Sequence, residues 1–322
     1  MKTDFMNSVK LKTRDKTIRK KKNGLNKNAL QLYSLCVIPT LLIFIFNYLP
    51  MGGIIIAFKK YRYDLGILGS EWVGFKNFEF FFKSSEFLKI TRNTLSLNFA
   101  FIVFGIVASL IVALLLFEFK SRTLTKIFQT TLITPHFLSM VIVAYMVYAI
   151  LNPNYGILNQ LLASMGLDKI DWYSKPGAWP AILTTTSVWK NVGMDSVVYY
   201  AALMGLDTSY FEAAEIDGAN KWRVTWNITL PSLIPLLTIL TIVKIGGIFR
   251  ADIGLFYIVT KDVGTLYPTT DVIDTYVLRT MRVIGDMGMS SAVGLLQSIV
   301  GFVLVLVVNK LSKKIDSDNG LF

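Results

Sequence analysis

Cysteine and histidine are almost missing from this chain. Cys36 is the only cysteine and His136 the only histidine among 322 residues. One cysteine excludes an intrachain disulfide, and the pair cannot build a zinc site of the usual Cys/His kind. Charge is scarce too. Charged residues make up 17% of the chain, against about a quarter in an average soluble domain. A G-x-x-x-x-G-K-[ST] phosphate loop is absent, so this chain is not expected to hydrolyse ATP itself. No internal repeat at a fixed period and no low-complexity linker is found.

What is abundant is apolar sequence in blocks. Hydrophobic residues reach 53% and the mean hydropathy is +0.52. A bilayer-spanning helix needs about 20 apolar residues. Six stretches qualify, at 31–57, 94–117, 128–151, 180–203, 232–259 and 290–310. The fold class expected is therefore all-α, a polytopic membrane protein with six transmembrane helices. The second stretch contains no charge, whereas the fourth and fifth contain Lys190, Asp195, Lys244, Arg250 and Asp252.

The net charge of +12 raises nucleic acid as a partner, but its location argues against it. Residues 1–31 hold ten Lys/Arg against Asp4 and Asp15. A basic run before a first span is the ordinary mark of a cytoplasmic terminus, and it can also rest on anionic lipid. The first span is read as a retained anchor. Six spans then return the C-terminus, with Lys310, Lys313 and Lys314, to the cytoplasm. The loop at 118–127, with Lys120, Arg122 and Lys126, falls inside as well. The organisation expected is a basic tail at 1–30, a membrane domain at 31–310 and a short tail at 311–322. External segments at 58–93, 152–179 and 260–289 hold Trp72, Trp172, Tyr173, Trp179 and Tyr267. Such aromatics sit at the membrane interface or stack on sugars. The first of these segments carries seven Lys/Arg, which opposes the rule, but the N-terminal tail usually dominates.

The internal loop at 204–231 differs from the others. Ser209 and Glu212 have capping-box spacing, and Asp207 is an alternative cap. Gly218 suits a helix end with positive φ. A second short helix starting near Asn220 would put Trp222 and Trp226 on one face. Pro231 would open the fifth span. From the residues alone this is either a surface for another protein or a simple interfacial loop.

The same stretch resembles the EAA motif of ABC-importer permeases: E-A-A, three residues, G, nine residues, I-x-L-P. It supplies Glu212-Ala213-Ala214, Gly218 and Ile228-x-Leu230-Pro231 without a gap. Asp217-Gly218-Ala219 is typical of the maltose-type carbohydrate permeases. NYLPMGGIIIAF at 47–58, LITPHFLSMVIVAYM at 132–146, IFRADIGLFY at 248–257 and TTDVIDTYVLR at 269–279 are similar to the polysaccharide and complex-oligosaccharide branch. That resemblance covers 30–322. It implies a type I ABC-importer permease fold in the bacterial cytoplasmic membrane. It also implies a coupling helix at 208–217 seated in an ATPase subunit. The partners it implies are an ABC ATPase dimer, a second similar permease and an extracellular lipoprotein sugar-binding protein. ATP and Mg would belong to the ATPase, with no cofactor in this chain, and the cargo would be a carbohydrate.

A charge at the bilayer centre costs about 2.5–3.5 kcal/mol on the insertion scale. Lys190, Asp195, Arg250 and Asp252 are thus candidates for a polar translocation path, or else for structural pairing between helices. Lys190 and Asp195, five residues apart, point roughly 140° apart on a helix and are a poor mutual pair. Pro135 should kink the third span, and Gly246-Gly247 should permit bending or close contact in the fifth. Other readings are a membrane enzyme acting on lipid-linked sugars, with Asp271 and Asp274 as its best acid pair, and a secondary transporter.

Overall fold

The computed structural model describes residues 27–119 and 121–315. The basic run at 1–26, Lys120 and residues 316–322 lie outside the described residues. The chain divides into an N-terminal unit ending at Gly52 and a larger unit from Gly53 onward.

The N-terminal unit begins with α1 (Lys27–Ile43) and continues through a π-turn, Phe44–Tyr48, into 3₁₀ turns from Leu49. Tyr33–Phe58 together make one apolar stretch of 26 residues. The π-turn ends two residues before Pro50. Proline has no N–H and its ring crowds the carbonyl four residues back. A wider turn placed there relieves both demands.

The larger unit opens on a short antiparallel ribbon, β1 (Lys59–Lys60) paired with β2 (Glu71–Trp72), in register Lys59 with Trp72. The main helices follow. They are α2 (Phe87–Glu118), α3 (Arg122–Phe137), α4 (Met140–Leu151), α5 (Trp179–Met204), α6 (Thr208–Ile216), α7 (Lys221–Gly246), α8 (Ile273–Ile284) and α9 (Met287–Ile315). Four helical stretches are long and apolar enough to cross a membrane: Tyr33–Phe58, α2, α7 and α9. The pair α3 and α4 makes a fifth if counted as one broken span. α5 has the length for a span, but its middle reads TTTSVWKNVGMDS and is too polar to join that group.

Two expected spans are corrected. The third is not a kinked rod: α3 and α4 meet at 98°. The fifth does not run from 232 to 259. It starts at Lys221, absorbing the second helix of the internal loop, and ends at Gly246. Pro231 is accommodated inside it by a second π-turn, Thr225–Thr229, which again ends two residues before the proline. Past Gly246 the backbone turns, and residues 254–259 form a separate short π-helix.

α2 and α5 pack along each other and form the axis of the unit. The largest core cluster gathers Leu97, Val143, Trp179, Leu183, Phe256 and Val259. A second, with Ala113, Tyr199, Leu203 and Leu233, joins α2, α5 and α7. Trp179 and Tyr173, read from sequence as interfacial or sugar-facing, are buried instead. The Trp179 indole donates to the Trp172 carbonyl at 2.9 Å, and the Tyr173 hydroxyl donates to the Val259 carbonyl. Trp72 is exposed and stacks on Phe58.

Candidate functional site

Two ends of the bundle can be told apart by contacts. At one end α2 finishes, α6 lies and α7 begins. Phe117 of α2 meets Phe211 of α6 with ring centroids 5.7 Å apart, and Glu118 pairs with Lys221. At the other end Asn93 donates to the carbonyls of Pro268 and Asp271, each at 3.1 Å. There the Thr269 hydroxyl also donates to the Pro176 carbonyl at 2.6 Å.

α6 is short but closed at both termini. Its N-cap is Asp207, whose carboxylate accepts from the Ser209 N–H at 2.9 Å. Ser209 is therefore inside the first turn and is not the cap that the Ser209/Glu212 spacing predicted. The bond from the Ser209 N–H also holds the Asp207 carboxyl below the usual carboxylate range. At the C-terminus Gly218 has φ +72°. The Ala219 N–H donates to Ala214 and the Gly218 N–H to Glu215, at 2.9 and 3.0 Å. Those are the two bonds of a Schellman cap, and the left-handed residue between them favours glycine. Asn220 then caps α7, accepting from the Arg223 N–H at 2.9 Å.

The two alanines of the motif differ in burial. Ala214 is buried and Phe211, one turn earlier, is half-buried, while Ala213 and Glu212 are exposed. The outer surface of α6 also carries Tyr210 (63% exposed) and Ile216 (86% exposed). Asp217 is exposed at the C-cap. Ile228 and Leu230 are half-buried on α7 and Pro231 is exposed. The helix thus anchors itself with one face and presents outward a mixed face, with Ala213 and Ile216 among Ser209, Tyr210, Glu212 and Glu215.

The charges within the bundle fall into two groups. Lys190 of α5 is buried, and its ammonium donates to the carbonyls of Pro135, His136 and Leu138 at 3.3, 2.8 and 2.6 Å. Those carbonyls lie where α3 ends and acceptors run short of intrahelical donors, although Pro135 also accepts from the Leu138 N–H at 3.2 Å, and a cation there complements the helix dipole. Lys190 is the stopper of the 98° break and does not line the cavity that Asp195 lines. Asp252 accepts from the N–H groups of Gly254 and Leu255 and caps the short π-helix. Asp195 and Arg250 are placed differently. Asp195 pairs with Lys244 of α7 at 2.5 Å. The pair lines a cavity of about 270 Å³ together with Asn98, Asn191 and Gly247. Arg250 donates to the Ser298 hydroxyl on α9 at 2.8 Å. His136 sits beside the break with Nδ1 3.2 Å from the Asn191 amide oxygen.

Asp271 and Asp274, the acid pair of the enzyme reading, serve separate structural tasks. Asp271 is buried against Arg279 at 2.5 Å and accepts from Thr275 at 2.7 Å. Asp274 accepts from the Ala251 N–H and from Gln297. The two carboxylates do not converge on one space.

Residues 102–317 match the family described as binding-protein-dependent transport system inner membrane component. The chain belongs to that family. This permease is similar to Protein LplB of Bacillus subtilis (strain 168), at 37% identity over 89% of this chain and 90% of the relative. It is 34% identical, over 87% of both chains, to the polygalacturonan/rhamnogalacturonan transport system permease protein YteP of the same organism. Among solved structures it matches a chain of a bacterial alginate ABC transporter in complex with an alginate pentasaccharide-bound periplasmic protein. That match has a TM-score of 0.80 at 32% identity, covering 90% of this chain and 96% of the other. The permease is thus a membrane-embedded transport subunit and not an enzyme.

Proposed function

We propose that this permease is one of two membrane-spanning subunits of an ATP-driven importer that moves an oligosaccharide into the bacterial cytoplasm. The observation that carries the proposal is α6. It is a helix capped at both ends, lying at one end of the bundle, anchored by Phe211 and Ala214 and exposing Ala213 and Ile216. A rigid, solvent-facing helix with small Ala213 at its exposed surface suits docking by an ATPase subunit. Because Glu118 and Phe117 of α2 contact this end, movement of α6 would be carried to α2, α5 and α7 together. ATP and Mg would be held by that ATPase. A binding protein would deliver the sugar at the opposite end, and a second, similar permease would complete the pathway. The saccharide names of the relatives support the cargo class.

Six spans with both termini cytoplasmic fit this reading, with α5 as the sixth crossing. Its two charges need not face lipid. Lys190 is satisfied by carbonyls and Asp195 by Lys244. The translocation path proposed is the cavity lined by Asp195, Lys244, Asn98 and Asn191, with Arg250 near it.

Orientation is tested with single cysteines. Cys36 is replaced, and cysteine is introduced at Ser209 or at Ser174, both exposed. In intact cells an impermeant maleimide should label position 174 and spare 209. Labelling at 209 before the membrane is opened would reverse the orientation and remove the docking role of α6.

A further inference from the structure

Residues 59–86 join two membrane-crossing stretches, Tyr33–Phe58 and α2, and expose large apolar side chains. The ribbon keeps Trp72 in register with Lys59, the residue after the end of the first stretch. Phe58 meets Trp72, Phe75 and Phe78 at ring-centroid distances of 5.9, 5.5 and 5.4 Å. A helix follows at Lys76–Lys83, and α2 begins at Phe87.

The faces of that helix differ in chemistry. At about 3.6 residues per turn, Asn77 and Phe81 share one side. It is the anchored side: Phe81 is buried, and the Asn77 amide donates to the carbonyls of Ala57 and Lys59 at 2.8 and 3.0 Å. α9 closes on it at Gly288, where a Cβ would stand 2.6 Å from the Lys59 carbonyl oxygen and 2.7 Å from the Asn77 amide nitrogen. The far side carries Lys76, Glu79 and Lys83, all exposed. Phe78 and Phe82 fill one flank between the two, with Phe75 at the N-cap beside them. Phe75 is 71% and Phe82 51% exposed. Phe80, on the other flank, borders Tyr276 and Val277 of α8.

A polar stripe beside an exposed aromatic flank is the pattern of a helix lying in a membrane interface, where aromatic rings concentrate. Location says the same. The segment is tied at both ends to stretches that enter the bilayer, and the Phe82 ring lies 5.2 Å from that of Phe87, the first residue of α2. The aromatic flank is therefore continuous with the surface of a membrane-crossing helix. Charge does not supply the attachment. Of the seven Lys/Arg at 58–93, Arg62, Lys83 and Lys89 pair with Asp64, Glu79 and Glu86. The Lys59 ammonium is taken by the carbonyls of Ile67 and Leu68, and Lys60 stands opposite Glu71 in the ribbon. This local pairing answers much of the basic excess that opposes the charge rule here.

We infer that the helix Lys76–Lys83 lies in the lipid headgroup layer, with Phe75, Phe78 and Phe82 against acyl chains and the stripe of Lys76, Glu79 and Lys83 toward water. Its partner is the bilayer itself. The contact is apolar and does not require an anionic headgroup. Packed on Phe87 and against Gly288, the helix fixes the depth at which α2 and α9 leave the membrane. The inference holds whichever side of the membrane this end faces, so it stands apart from the importer reading.

The test is the accessibility of a nitroxide label on the assembled transporter in vesicles, with its ATPase, partner permease and binding protein. Cys36 and the accessible cysteines of the partner subunits are replaced. Phe75→Cys, Phe82→Cys and Glu79→Cys then carry the label one at a time. All three positions are exposed, so no core is opened. Collisions with oxygen, which concentrates in acyl chains, are compared with collisions with a water-soluble nickel chelate. Labels at 75 and 82 should collide severalfold more with oxygen than with the chelate, and the label at 79 should show the reverse. The pattern should be the same in phosphatidylcholine alone and with phosphatidylglycerol added. Position 75 or 82 decides by itself if the other variant fails to assemble. Chelate-dominated collisions there would place the flank in water and overturn the inference. Shielding from both reagents would mark a protein cover, the second permease or the binding protein, and overturn it as well. An oxygen-dominated signal confined to vesicles with phosphatidylglycerol would make the contact electrostatic, which also contradicts it.

Discussion

Gly193→Val should leave little folded permease in the membrane. A Cβ at Gly193 would stand 1.9 Å from the Leu132 carbonyl oxygen, 2.2 Å from its carbon and 2.7 Å from the Ile133 nitrogen. All three atoms are backbone of α3, so no side chain can swing aside. α5 would have to retreat, and Lys190, one turn earlier on the same helix, would lose its reach to the carbonyls that end α3. Overpacking typically costs about 1–3 kcal/mol and occasionally more. A buried acceptor left unpaired adds about 1–3 kcal/mol. Together these approach the whole stability of a typical domain, about 5–15 kcal/mol. Abundance in the membrane fraction, by immunoblot, checks this. Gly177→Ala is the control, because a Cβ there meets nothing within 4 Å. Normal abundance of Gly193→Val would mean that α3 and α5 do not touch as described.

Ala213→Trp should do the opposite: abundance is kept and transport is lost. Ala213 faces outward on α6, so an indole there meets no part of its own chain but obstructs a docked surface. The same overpacking cost, about 1–3 kcal/mol, weakens a subunit contact by roughly one or two powers of ten. Ala214→Trp separates the two faces of the helix. Ala214 is 8% exposed, so its replacement should lower abundance as well. Gly218→Val should resemble Ala213→Trp in phenotype, because the left-handed conformation costs a branched residue about 1–2 kcal/mol and loosens the cap. Co-purification with the ATPase, stimulated hydrolysis and uptake are read together. If Ala213→Trp and Gly218→Val kept all three at normal values, α6 would not be the coupling element.

The apolar helices were legible in the sequence because length and hydropathy alone set them. α2 and α9 need nothing more. α5 was legible from its residues at 180–203, within one residue of its ends at Trp179 and Met204, despite two charges. What those charges do was not legible, because their partners are distant in sequence. Lys190 finds carbonyls 52 to 55 residues back, and Asp195 finds Lys244, 49 residues on. The angle between the two on a helix correctly argued against their pairing with each other. Pro135 marked the place of the break in the third span but not its 98°, nor that Lys190 of another helix would cap it. The ends of the fifth span were misread for two local reasons. A π-turn carries the helix through Pro231, and apolar sequence continues past Gly246 after the helix has stopped. Asp207 and Ser209 both offered a cap; the extended backbone at Asp207, ψ 125°, selected it. The left-handed pair Lys261 and Asp262, φ +57° and +49°, was not legible, since lysine gives no signal for positive φ and the enrichment of aspartate there is weak.

The most direct measurement is sugar accumulation in sealed vesicles that hold this permease, its partner permease and the ATPase. ATP is supplied on the ATPase side and loaded binding protein on the other. Uptake against a gradient is expected only with all components present, and it should stop when ATP or the binding protein is withheld. Passage of sugar through the permease subunits alone, unchanged by ATP and binding protein, would contradict an importer worked through α6.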